Sequence, residues 1–131
     1  MKIGELRGLV GKMPFNAVVG IHVARLHKDG VTIECKVREE LLNSANVLHG
    51  GVLATLADAA VGISLAHHFG GRRPITTAEL KINYLRPVSE GKVKARARLL
   101  KVGARLCVAS VEMTDSVNKI VAAALLSYIL L

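Results

Sequence analysis

Asp58 invites a chemical reading before any other residue. It lies about two turns into a long Ala/Leu-rich stretch, and positions three and four away hold Ala54, Thr55, Val61 and Gly62. None of these can pair with a carboxylate, and burying one unpaired is costly. Such groups mark functional sites, where a carboxylate serves as general base or nucleophile. The competing reading is an aspartate hydrogen-bonded to a nearby strand for structural reasons.

A second signal precedes it, in Asn43-Ser44-Ala45-Asn46-Val47-Leu48-His49-Gly50-Gly51. His-Gly-Gly opens the long apolar stretch. A helix N-terminus there offers free backbone N–H groups and the positive end of the helix dipole. Glycines let a ligand approach that backbone closely, so a carbonyl oxygen placed there would be polarised. The same two glycines would also suit tight helix–sheet packing. His49 and Asp58 are nine residues apart, which at about 100° per residue puts them on opposite faces of one helix. Two antiparallel copies of that helix bring the His end of one to the Asp of the other. The spacing favours a site built across a two-fold interface.

Other constellations are weaker. His67-His68 point about 100° apart on a helix and cannot easily chelate one ion; interaction with the helix C-terminal dipole is the better reading. His22 and His27 lie in an early strand with no partner in view. Cys35 and Cys107 have no metal-ligand spacing and read as buried free thiols of a reducing compartment. We find no Walker loop, dinucleotide fingerprint or Ser-His-Asp arrangement.

The elements that must position these residues follow from periodicity. Residues 3–13 form a short amphipathic helix that Pro14 stops. Strands run from Ile21 to His27 and from Val31 to Arg38, joined by the hairpin signal Lys28-Asp29-Gly30. Residues 39–48 are a loop. From His49 to Phe69 the chain is apolar on all faces, a central helix wrapped by protein. Thr76 to Leu85, Val93 to Leu99, Leu106 to Met113 and Ile120 to Ile129 then alternate as strands. The order is two strands, one long helix and four strands in a meander. A single antiparallel sheet must cover its apolar face, and the long helix is available to do so.

The 131 residues suffice for one domain. With 51% hydrophobic residues and mean hydropathy +0.40, the chain carries more apolar surface than a monomer needs, and an oligomer interface is the outlet. No apolar run reaches the roughly 20 residues of an uninterrupted membrane span. The N-terminus lacks a signal-peptide core, so a cytoplasmic protein is expected. The net charge of +8 suggests an anionic partner. Aromatic residues are only 3%, poor material for stacking nucleic-acid bases; a small polyanion such as coenzyme A is another candidate partner, and a generally basic surface without a specific ligand is the competing reading.

Taken together, these residues resemble the hotdog-fold thioesterases of the phenylacetate-pathway (PaaI-like) type, over residues 15–131. Asn43, His49, Gly50, Gly51 and Asp58 match the family pattern in spacing. Asn46 stands where the family usually has Gly, and Asn tolerates the left-handed conformation. Thr77 to Pro87 resembles the strand after the family's helix. Gly103-Ala104-Arg105 falls where a Gly-Arg pair is common, with an Ala inserted.

The resemblance implies an α+β hotdog fold, one curled antiparallel sheet around one long helix, spanning 1–131 as a single domain. It implies a homo-oligomer, a dimer of dimers, acting on acyl-CoA without metal or cofactor. Asn43, His49 and Gly50 would come from one chain, Asp58 and Thr77 from the other. Gly50 N–H would polarise the carbonyl. Asp58 would act as base or nucleophile, Thr77 and Asn43 would orient, and His49 would position the loop or the sulfur. Gly51, Arg72, Arg73, Arg86 and Arg105 would bind the coenzyme A portion. The rivals are a hotdog hydratase or dehydratase, which would need a His in phase with the helix carboxylate, a non-catalytic acyl-CoA binding module, and a nucleic-acid binder.

Overall fold

The computed structural model describes residues 1–131. Two short helices, α1 (Ile3–Gly11) and α2 (Pro14–Val19), precede strands β1 (Ile21–His27) and β2 (Gly30–Lys36). A 3-10 turn at Glu39–Leu41 leads to the long helix α3 (Gly50–Phe69). Strands β3 (Ile75–Tyr84), β4 (Lys92–Val102), β5 (Leu106–Thr114) and β6 (Ile120–Leu130) complete the chain. All six strands form one antiparallel sheet that curls around α3, which is the hotdog arrangement.

Pro14 does not simply end the first helix. It occupies the first position of α2, where its missing N–H has no intrahelical partner to lose and its fixed φ suits a helix start. The α2 carbonyls of Val18 and Val19 accept hydrogen bonds from the Arg38 guanidinium at 2.8 and 2.7 Å. That turn brings Met13, Phe15 and Asn16 over α3.

The expected four-strand meander is also corrected. The strand order is β1-β2-β4-β5-β6-β3. Only β4, β5 and β6 form a meander. Helix α3 carries the chain across the sheet face, so β3 lands on the far edge beside β6. The segment after Tyr84 then returns to place β4 next to β2. Buried Val88 anchors that return, its carbonyl accepting from Leu48 N–H at 2.7 Å.

Thirty-one buried hydrophobic residues make one core between α3 and the sheet. Leu53, Leu56, Ala57, Ala60, Val61 and Ile63 are among its α3 members. Burying a Leu or Ile side chain stabilises by roughly 1.5–3 kcal/mol, so this face dominates the helix's stability. The one buried polar side chain, Ser64, accepts from Val31 N–H at 3.0 Å and donates to Ala60 O at 2.7 Å. Gly30 must be glycine: its φ is +156°, and a Cβ there would run into the Ala97 carbonyl. Helix α3 is long and apolar enough to cross a membrane, but half of its most apolar stretch is already buried inside the protein. The turn of α3 bearing Thr55, Asp58, Ala59 and Gly62 is only half-buried.

Candidate active site

The loop before α3 is built by Asn43. Its Oδ1 accepts from the N–H groups of Ala45 and Val47 at 2.9 and 3.3 Å. Its own N–H donates to Val47 O at 2.8 Å, and its carbonyl accepts from Asn46 N–H at 3.0 Å. Closing so tight a loop needs one left-handed residue, and Asn46 supplies it at φ 60°. The side-chain amide of Asn43 keeps its NH₂ donors unspent.

His49 caps α3. Its Nδ1 accepts from Gly51 N–H at 2.8 Å, so Nδ1 is the unprotonated nitrogen and Nε2–H is the ring's remaining donor. The ring lies so close that a Cβ on residue 51 would be 2.9 Å from Nδ1. Gly51 is thus explained by the cap, and its N–H is occupied within the chain. Gly50 N–H has no acceptor in the chain, so it remains the free donor at the positive end of the helix. The Tyr84 hydroxyl donates to Gly50 O at 2.8 Å. Gly50, Leu53, Tyr84 and Arg86 line a cavity of about 330 Å³.

Asp58 finds its partners outside its helix. Oδ1 accepts from Thr77 Oγ1 at 2.7 Å and from the Tyr128 hydroxyl at 2.5 Å. Oδ2 has no hydrogen-bond partner. Burial, then the hydrogen bond to Asp58, pushes the Tyr128 phenol far above its ordinary value, so it stays a donor. Phe15, Asn16, Thr55, Asp58, Thr77 and Tyr128 line a cavity of about 430 Å³. A second cavity of about 250 Å³ adjoins it across Met13, Gly62 and Ile75 and ends at Phe69, Arg72 and Arg73. The Arg73 guanidinium stacks 4.6 Å over the Phe69 ring.

Thr77 reaches Asp58 because of a β-bulge. Simple alternation puts Thr77 on the same face as Glu79 and Lys81. The register slips at Ala78, so Thr77 pairs with Tyr128 while Leu80 pairs with Leu126. Tyr128 and Leu126 are buried on the helix side, and the extra residue turns Thr77 to join them. Tyr128 escaped the sequence reading. Its only signal was a lone hydroxyl-bearing aromatic in a strand whose other inward residues are aliphatic.

The remaining sequence candidates scatter. Arg86 lies with Gly50, Arg72 and Arg73 lie at the far end of the Asp58 cavity, and Arg105 holds the β4–β5 turn, its carbonyl accepting from Leu130 N–H at 2.7 Å. His27 does have a partner: Nε2 is 2.7 Å from Thr32 Oγ1. His67 is poorly suited to be the cation that the helix C-terminal dipole would favour. Burial lowers its pKa, and its Nδ1 is enclosed without a partner. Burial raises both cysteine thiols, so neither is a ready nucleophile. No three His, Cys, Asp or Glu side chains cluster to hold a metal ion.

Gly50 and Asp58 do not meet within one chain. Eight residues at about 1.5 Å rise separate them by about 12 Å along the helix. Residues 45–122 match the thioesterase superfamily. The chain belongs to that family. Thioester hydrolysis is therefore its reaction class. The chain is 28% identical over 141 aligned positions to the medium/long-chain acyl-CoA thioesterase YigI of Escherichia coli K12, covering 96% of this chain and 90% of the relative. Its fold matches a variant of the phenylacetic acid degradation protein PaaI of Thermus thermophilus, with TM-score 0.81, 26% identity, and 90% and 99% of the two chains covered. It also matches thioesterase HI1161 of Haemophilus influenzae at TM-score 0.91 and 23% identity, covering 100% and 91%.

Proposed function

We propose that this thioesterase hydrolyses acyl-CoA in sites completed by two copies of the chain. The observation that carries the reading is Asp58, one oxygen held by two hydroxyls and the other free, on the half-buried face of a largely buried helix. Gly50 N–H of one chain polarises the thioester carbonyl and receives the developing oxyanion. Asp58 Oδ2 of the other takes a proton from water as the water oxygen bonds to the acyl carbon. The C–S bond then breaks, and the proton passes from Asp58 to the departing coenzyme A sulfur.

The other groups serve this step. Thr77 holds the Asp58 carboxylate. Asn43 stiffens the loop and offers its NH₂ to water or thioester. His49 fixes the first turn and offers Nε2–H towards the sulfur. Arg72, Arg73, Arg86 and Arg105 are candidates for the coenzyme A phosphates. The apolar walls beside Asp58, from Met13, Phe15 and Ile75, suit a medium-length aliphatic or an aryl acyl group. Water supplies every atom added, so the reaction calls for no cofactor.

Support for a two-chain site comes from the roughly 12 Å gap between Gly50 and Asp58 and from the open edge strand β3, which carries both Thr77 and Tyr84. An unpaired edge of ten residues is a template for pairing with a second copy. A dimer of dimers in the cytoplasm, with Cys35 and Cys107 kept reduced, completes the picture.

The test is hydrolysis of a panel of aryl and aliphatic acyl-CoAs by the wild type and Asp58→Asn, followed by thiol release. We expect the variant to lose activity by roughly 10²–10⁴-fold with its oligomer size unchanged. Absence of turnover on every acyl-CoA, or equal turnover by the variant, would turn the reading towards a binding module or another hotdog reaction.

A further inference from the structure

Two hydroxyls hold Asp58, and they differ in setting. Thr77 belongs to the exposed edge strand. Tyr128 comes from β6, directly across the ladder from Thr77, with its side chain buried at 4% exposure. Its hydroxyl is 2.5 Å from Asp58 Oδ1 and 2.7 Å from the Asp58 carbonyl oxygen. The single O–H proton of Tyr128 thus lies between the carboxylate and the carbonyl of the helix turn that carries it, within reach of both. Gly62, four residues on and on the same face, packs beside the ring: a Cβ there would sit in ordinary contact, 3.4 Å from the hydroxyl.

Both hydroxyls end on the same carboxylate oxygen. A carboxylate without such anchoring turns about its Cβ–Cγ bond, where the torsional wells are broad. A base must present one lone pair within hydrogen-bond reach of the proton it removes. We infer that Tyr128 is a positioning residue for the reaction: it fastens Asp58 Oδ1, so that Oδ2 alone is left to take the proton from water. The inference rests on the proposed role of Asp58 as the base.

The groups around the carboxylate are Thr55 on α3, Met13, Phe15 and Asn16 at α2, Thr76 and Thr77 on β3, and Tyr128 on β6. Tyr128 is the only titratable group among them. The pH profile of kcat/KM is therefore a readout that a merely structural role of Tyr128 would not move.

Tyr128→Phe removes one oxygen. We expect kcat to fall roughly 10- to 100-fold with KM changed by less than about threefold, the loss of one hydrogen bond to a charged group. The acidic limb of kcat/KM should move up by about one pH unit. A melting temperature that drops while kcat and the limb match the wild type would overturn the inference, since packing alone would then explain the residue. If Tyr128→Phe does not fold, 2,3-difluorotyrosine at position 128 keeps the ring and strengthens the donor. The limb should then move to lower pH, and an unmoved limb overturns the inference. A wild type without acyl-CoA hydrolysis would refute the thioesterase reading, and the positioning role with it. An active wild type, an inactive Asp58→Asn and an unaltered Tyr128→Phe would refute the positioning role alone.

Discussion

The Tyr84 hydroxyl donates to the Gly50 carbonyl oxygen at 2.8 Å, tying the first turn of α3 to the edge strand β3. A Cβ on residue 50 would lie 3.3 Å from the Tyr84 ring, so the two residues are in close packing as well. The bond fixes the turn whose free N–H is proposed to polarise the substrate. Tyr84→Phe keeps the ring and loses the bond. We expect kcat/KM to fall about 3- to 10-fold, the worth of one neutral hydrogen bond. Tyr84 is 52% exposed, so the melting temperature should shift by no more than a few degrees, checked by calorimetry.

Gly50 N–H can be deleted without breaking the helix. Gly50 is the first helical residue, and His49 before it has φ −59° and ψ 134°, a conformation that a following proline accepts. Gly50→Pro should leave far-UV circular dichroism close to wild type and lower kcat by roughly 10²–10³-fold, as removal of an oxyanion donor does.

Pairing that variant with Asp58→Asn tests the shared site. In a mixed dimer one site receives both intact groups and the other receives neither. Random assortment should restore about one quarter of wild-type activity, since half of the dimers are mixed and half of their sites are intact. Two inactive variants that stay inactive after co-expression would place Gly50 and Asp58 in separate, single-chain roles.

Asn46 holds the left-handed corner of the Asn43–His49 loop at φ 60°. Asn46→Gly should match or slightly exceed wild-type stability. Asn46→Ala should cost about 1 kcal/mol, because a Cβ without a compensating polar group opposes that conformation. Urea denaturation of the two variants measures the difference.

His67 makes stability depend on pH. Burial lowers its folded-state pKa beneath the ordinary 6.5, so the unfolded chain binds the proton more readily. Its contribution is therefore fully present above about pH 6.5, and is lost as pH falls through the lower folded value. His27 acts in the same direction, through burial and then Arg96. His67→Leu removes one of the two and also the enclosed, unpartnered Nδ1. The fall in melting temperature between pH 7 and pH 5 should become shallower. An unchanged slope would show that His67 is solvated in both forms.

Much of the architecture was legible in the chain itself. Alternation in Val31, Ile33 and Cys35, and again in Val93, Ala95 and Ala97, marked strands because their inward residues meet α3. The Ala/Leu composition of α3 marked a wrapped helix, since the sheet curls about it. Spacing alone singled out His49, Gly50 and Asp58, because a helix N-terminus and an unpaired carboxylate are local facts. The left-handed corner at Asn46 was legible only through the family resemblance, which has Gly at that place.

What tertiary structure decided was everything set by pairing between distant segments. Periodicity names a strand's faces but not its neighbour, so the place of β3 beside β6 could not be read. A bulge is one residue of slippage against a partner strand, which alternation cannot show; the family resemblance paired Thr77 with Asp58, and the β3–β6 register is what turns its hydroxyl there. Tyr128 is 70 residues from Asp58 in the chain, and no local pattern joins them. The sequence determined which groups could do the chemistry. The fold decided which oxygen of Asp58 is held and which is free, because hydrogen bonds are short and directional and only the packed sheet brings the two hydroxyls within reach.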